Sequence, residues 1–156
     1  MATSICDKLR EGVTTASAEE TRVLAAELAA ALPPDVVLAL HGDMGVGKTT
    51  FVQGLARGLG VKEQVTSPTF AIYSVYQGAG PALRSPGEAG RTLVHLDAYR
   101  LEHERQIEAL LLEEFLTPPW CLAVEWPEKV GAWLPPGAWH VTLSIVEGDR
   151  HHLILR

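Results

Sequence analysis

Short apolar runs alternate with amphipathic ones along this chain, and the two patterns have different periods. Val36 to His41 (VVLALH), Thr92 to Asp97 (TLVHLD) and Cys121 to Glu125 (CLAVE) are largely apolar and too short for helices, so they read as strands covered on both faces. Phe70 to Tyr76 (FAIYSVY) has the β-branched and aromatic content of a further strand. After Pro135-Pro136, HVTLSIV and HHLILR alternate apolar and polar residues on either side of Glu147-Gly148-Asp149-Arg150, which predicts an antiparallel hairpin at a sheet edge.

The intervening segments repeat at helical spacing. Ser17-Ala18-Glu19-Glu20 forms a capping box ahead of Leu24, Leu28 and Ala31, and Pro33-Pro34 should stop that helix. From Lys48, the set Phe51, Val52, Leu55, Ala56 and Leu59 has the same period, with Gly60 as the stop. A third helix is expected to carry Ile107, Leu110, Leu111 and Phe115 on one face. Gly78 to Arg91 (GAGPALRSPGEAGR) has the composition of a surface loop. Strands alternating with helices in this way imply a three-layer α/β domain with a mainly parallel central sheet and a C-terminal antiparallel hairpin.

Composition narrows the class. A chain of 156 residues, 47% hydrophobic and 21% charged, is read as a single domain over residues 1–156. No apolar run is long enough for a signal peptide or a membrane span, so a cytoplasmic protein with no membrane contact is expected. Cys6 and Cys121 lack neighbours at ligand spacing and read as reduced packing residues. A formal net charge of −6 argues against a surface built to neutralise nucleic-acid phosphates. Any nucleic acid is therefore expected to be held by a partner.

The first strand run feeds into HGDMGVGKTTF, which contains Gly-x-x-x-x-Gly-Lys-Thr from Gly42 to Thr49. Glycines there let successive N–H groups converge on phosphate oxygens, and the following helix adds its N-terminal partial charge. In this pattern Lys48 reaches the β- and γ-phosphates and Thr49 offers its hydroxyl to Mg2+. The strand, loop and helix together specify a P-loop NTPase-like fold. Asp43 does not fit easily: an acid inside such a loop repels phosphate unless it points away or contacts metal-bound water.

Ligands in open α/β sheets sit beyond the carboxyl ends of the parallel strands. Two further buried runs end there in acids, Asp97 and Glu125, at the same rim as Lys48 and Thr49. Asp97 is the better candidate for the Walker B acid, and Glu125 could complete a metal shell or orient the attacking water. Thr66, Ser67, Pro68 and Thr69 lie between the loop's helix and the next strand. Their hydroxyls could sense a γ-phosphate, or the segment could be a plain turn closed by proline.

Together GDMGVGKTTF, VTSPTF, HLDAYRLE, LLEEFL and VEWPEK, in this order, resemble the TsaE (YjeE) ATPases of bacterial tRNA threonylcarbamoyladenosine biosynthesis, from about Val13 to the C-terminus. The resemblance implies ATP bound at Gly42, Asp43, Met44, Gly45, Val46, Gly47, Lys48, Thr49 and Thr50, with Trp126 beside the nucleotide. It implies metal contacts from Thr49 and Asp97, a metal or hydrolytic role for Glu125, and a mobile switch at Thr66–Thr69. It further implies association with the TsaB–TsaD complex, with tRNA reached only through that complex, and hydrolysis supporting repeated modification cycles. Two features depart from the family pattern: Leu111 or a neighbour stands where a glycine is expected, and the Gly78–Gly90 insertion is long.

Two other enzyme classes share the loop. A small-molecule kinase would want arginines on a lid, for which Arg84 and Arg91 are the loop candidates. A switch GTPase usually reads guanine with Asn-Lys-x-Asp, and this chain has no asparagine. The remaining alternative is an interaction module with a vestigial loop.

Overall fold

The computed structural model describes residues 3–68, 72–79, 90–103 and 105–156. Its helices are α1 (Ile5–Glu11), α2 (Ala18–Ala31), α3 (Lys48–Gly58) and α4 (Arg105–Ala109). Its strands are β1 (Val13–Thr15), β2 (Val36–His41), β3 (Tyr73–Gln77), β4 (Thr92–Asp97), β5 (Trp120–Glu125), β6 (Trp139–Val146) and β7 (Arg150–Leu155). They form one sheet in the order β1-β7-β6-β2-β5-β4-β3.

The four central strands β6, β2, β5 and β4 run parallel, as the apolar runs of β2, β4 and β5 predict, while β6 joins them beside β2 although its alternating sequence predicted only the antiparallel hairpin. Register fixes the site: Leu40 pairs with Glu125 and Asp97 pairs with Glu125, so both acids stand at the rim where β2 enters the glycine loop. Alternation divides the side chains. Leu38, Leu40, Leu93, Cys121 and Ala123 join the core under α2 and α3, while Val37, Val94, Leu96, Leu122 and Val124 join a second core on the opposite face.

The capping box forms as read, with the Ser17 hydroxyl accepting from the Glu20 amide at 3.1 Å. The buried stripe of α2 is Thr21, Leu24, Ala25, Leu28 and Ala29, whereas Ala31 is exposed in the last turn. α3 packs directly on α2 because Gly54 has no side chain: a Cβ there would stand 2.4 Å from the Arg22 carbonyl oxygen.

Three expectations need correction. The hairpin β6–β7 is not an edge, because β1 pairs antiparallel with β7 through Thr14 and His152. A buried hydroxyl contact of 2.7 Å between Thr15 and Thr21 ties that short strand to α2. The third predicted helix is also not continuous. α4 ends at Ala109, Leu111 adopts φ 51°, and a 3-10 turn follows over Leu112–Phe115. The left-handed residue drives Leu112 into the core, fully buried, and leaves Leu111 54% exposed. The family pattern led to a glycine being expected at Leu111 or a neighbour, and the left-handed backbone at Leu111 is one that glycine adopts without strain. Lastly, Phe70 and Ala71 lie outside the described residues, and the strand begins at Tyr73, antiparallel to β4. Most of the Gly78–Gly90 insertion, with Arg84, also falls outside them.

Arg91 precedes β4 at the end of the sheet opposite Asp97. It is buried, and it donates to the carbonyls of Leu32 (3.2 Å) and Trp120 (3.1 Å) and to that of Pro33. It staples the start of two strands and cannot serve as a kinase lid arginine. Among the described residues no helix is long and apolar enough to cross a membrane.

Candidate functional site

The loop between β2 and α3 owes its path to glycine and to two neighbours. Gly42 has φ 144°, and a Cβ on it would meet the Leu143 carbonyl oxygen at 2.5 Å. Gly47 has φ 98° and caps α3 without a side chain, which leaves the first amides of the helix open. Val46 is buried, and its carbonyl accepts from His151 Nδ1 at 2.7 Å. The β7 strand therefore braces the loop from behind.

In front of the loop lies a cavity of about 460 Å³, lined by Met44, Gly45, Gly47, Lys48, Thr49, Thr50, Ser67, Asp97, Tyr99, Glu125 and Trp126. Most of the predicted site residues thus converge on one space. Gly42 and Val46 shape the loop from behind. Thr66 is exposed and Pro68 buried outside this cavity, and Thr69 lies outside the described residues.

Lys48 is only 4% exposed. Its ammonium donates to the Gly42 carbonyl at 2.6 Å and stands 3.6 Å from the centre of the Trp126 ring. Burial pulls its pKa below the usual lysine value, while Glu125, Glu128, Asp97 and Asp43 pull the other way. An ammonium has three donors, so two remain for an anionic ligand. Trp126 holds φ 57°, a backbone turn that lays its ring over Lys48 while one side packs on the second core. Trp126 thus packs on the second core and also lines the cavity.

The two acids are held differently. Asp97 accepts from the Tyr99 amide at 3.0 Å and from the Ser67 hydroxyl at 3.3 Å, which links it to the proposed switch segment. Glu125 accepts from Thr49 Oγ1 at 3.1 Å and from His95 Nε2 at 2.5 Å, both on Oε2. Its carboxylate is the one in direct contact with the loop's threonine. Thr49 Oγ1, Asp97 and Glu125 are the oxygen donors a hard cation could use here.

Sequence reading missed His95. It stands in the apolar run TLVHLD, and the signal was its polarity: a fully buried imidazole needs a partner, and the next strand supplies Glu125. Also missed was the His41–His140 contact of 2.8 Å at the base of the loop. Burial, then the neighbouring His140, lowers the pKa of His41. The Cys121 thiol is pushed up to about 12 by burial, in keeping with an inert packing residue.

Asp43 lines a different space, a cavity of about 410 Å³ behind the loop that it shares with Leu143, Ser144 and Ile145. Asp43 does not line the front cavity, although its charge is still felt at Lys48.

Comparisons with known proteins point to one family. A family model described as "Threonylcarbamoyl adenosine biosynthesis protein TsaE" matches residues 15–152. The chain is 36% identical over 139 residues to the tRNA threonylcarbamoyladenosine biosynthesis protein TsaE of Bacillus subtilis, covering 89% of this chain and 80% of that one. The protein of the same name from Treponema pallidum is 33% identical over 135 residues, with 86% of this chain and 92% of that one covered. Among solved structures, the crystal structure of Bacillus subtilis YdiB is similar with a TM-score of 0.69 and 31% identity, covering 91% of this chain and 81% of that one.

Proposed function

The chain belongs to the TsaE family of tRNA threonylcarbamoyladenosine biosynthesis, and from that premise we propose that it is a Mg2+-dependent, ATP-hydrolysing subunit acting in the cytoplasm with the TsaB–TsaD complex. The observation that carries this reading is the single cavity in which Lys48, Thr49, Asp97 and Glu125 meet the open N-terminus of α3. Its donor set suits the ligand: amides and an ammonium for phosphate, and a hydroxyl and two carboxylates for a hard cation. Among the described residues no three His, Cys, Asp or Glu side chains form a metal cage of their own. A cation held here would share phosphate and water ligands, as Mg2+ characteristically does.

Bound Mg2+·ATP supplies the transferable γ-phosphoryl group and the charge that neutralises its oxygens. The chain's own residues bind and orient. Lys48 gives its two remaining donors to phosphate oxygens, already held in place by Gly42 and Trp126. Thr49 donates its hydroxyl proton to Glu125 and keeps its lone pairs for the cation. Glu125 receives both hydrogen bonds on Oε2, so Oε1 would be the atom that accepts a proton from the attacking water. Asp97 would hold the cation directly or through water, and its contact with Ser67 ties that position to the proposed switch, which bound nucleotide would order and hydrolysis would relax. That segment then acts on TsaB–TsaD, which holds the tRNA, consistent with a net charge of −6 on this chain.

Steady-state ATP hydrolysis with and without TsaB–TsaD tests the proposal. Slow turnover alone, raised by the complex, is expected. Fast turnover indifferent to the complex would refute the partner dependence. Phosphate appearing on a nucleoside or shikimate-like acceptor would favour a kinase instead.

A further inference from the structure

One buried group near the site is left unexplained by binding and hydrolysis. His95 is fully buried in β4 on the α3 side of the sheet, where strand register sets it across from Ala123 and two positions before Asp97. A carboxylate can only accept, so the hydrogen of the 2.5 Å contact with Glu125 belongs to His95 Nε2. On the other side of the ring, Nδ1 meets no hydrogen-bond partner among the described residues. An unpartnered polar atom in the core costs stability, and an apolar residue would fill the space without that cost. The fold keeps an imidazole where packing alone disfavours one.

The return lies at Glu125. Its Oε2 accepts from both His95 Nε2 and Thr49 Oγ1, two donors on separate elements, β4 and the start of α3. Two donors fix both the position and the rotation of the carboxylate plane, and they leave Oε1 as the oxygen free to face the cavity. Without His95, the carboxylate would hang from the Thr49 hydroxyl alone, the same hydroxyl that must also serve the cation. We infer that His95 is a positioning residue for hydrolysis: its Nε2–H holds Glu125 so that Oε1, rather than Oε2, faces the attacking water. This rests on the ATPase reading above and adds to it a group that touches neither nucleotide nor cation.

The test compares His95→Leu, which removes the donor, with His95→Gln, whose amide nitrogen can reach the same oxygen. In the presence of TsaB–TsaD, His95→Leu is expected to lower kcat for ATP by about 30-fold with KM within about twofold, and the Gln variant to recover most of that loss. Melting temperatures of both variants establish that each is folded at the assay temperature, so that kcat is compared between folded proteins. In a Glu125→Gln background, His95→Leu should cost nothing further, because its effect passes through that carboxylate. Equal kcat in wild type and His95→Leu would overturn the inference, as would additive losses in the double variant or a Gln variant no better than Leu.

Nitrogen-15 NMR of the imidazoles gives a readout independent of turnover. A slowly exchanging His95 Nε2 proton is expected in the wild-type chain, and its absence would also overturn the inference. If the wild-type protein neither binds nor hydrolyses ATP, the functional reading fails by itself, while the NMR result still decides the His95–Glu125 contact.

Discussion

Among the described residues, each end of the central sheet buries one cation, and the two have different uses. Lys48, at the carboxyl end, is 4% exposed, and Arg91, at the amino end, is 5% exposed. Arg91 directs its guanidinium at the carbonyls of Leu32, Pro33 and Trp120, tying the α2–β2 connection to the starts of β4 and β5. Lys48 gives one donor to the Gly42 carbonyl and otherwise faces a cavity bordered by carboxylates. Burial of charge therefore does not by itself mark a site. What marks one is a buried charge with hydrogen-bonding capacity left over.

Removing each cation in turn, and reading both stability and binding, separates the two roles. Arg91→Ala should cost about 3 kcal/mol of stability by leaving buried carbonyls unpaired, measured by urea unfolding, with ATP affinity of the folded fraction unchanged. Lys48→Ala should do the reverse: ATP affinity falls roughly 100-fold, about 2.8 kcal/mol, while unfolding shifts little because a desolvated charge is removed. Similar profiles for the two variants would dissolve the distinction. Within the carboxyl end, Glu125→Ala is expected to keep ATP binding and to lower turnover at least tenfold, separating holding from reacting. Equal loss of binding in Lys48→Ala and Glu125→Ala would show that the roles are not divided.

Smaller effects extend the contrast to the backbone. Leu111 and Trp126 both hold left-handed conformations, at φ 51° and 57°. Leu111 is largely exposed and serves no site, so Leu111→Gly should raise stability by roughly 0.5–1 kcal/mol. Trp126→Gly relieves the same backbone but uncovers Lys48, and calorimetry should find weaker nucleotide binding in that variant alone. The smallest effect is one of pH. Burial and His140 hold His41 below its ordinary value, so below about pH 6.5 the unfolded chain binds more protons than the folded one. Stability contributed by neutral His41 is complete above that pH and is lost as pH falls. The decline in melting temperature between pH 7 and pH 5.5 should be shallower in His41→Gln, and an unchanged slope would remove His41 from the account.

The legible parts of this chain were those with a local cause. β2 and β4 have the bounds their apolar runs predict, and the loop glycines, the capping box and the two rim acids stand where local pattern put them. The illegible parts depend on distant chain. β1 is a strand only because β7 lies beside it, and nothing in Val13-Thr14-Thr15 announces that pairing. Asp43 could be placed behind the loop only once the hairpin carrying Leu143 and Ile145 was seen to form a wall there. His95 interrupts an apolar run, which reads as noise until Glu125 is found on the next strand. Arg91 looked like a loop arginine because its carbonyl partners lie in segments far away in sequence.

On the proposed function, the carboxyl end of this sheet holds a nucleotide and the amino end only holds the fold together. Calorimetric titration of the isolated protein with ATP in excess Mg2+ tests it most directly. Saturable binding of one ATP per chain is expected, weakened when Mg2+ is withdrawn, and not displaced by GTP. Failure to bind ATP with Mg2+ present, in protein shown to be folded, would contradict it.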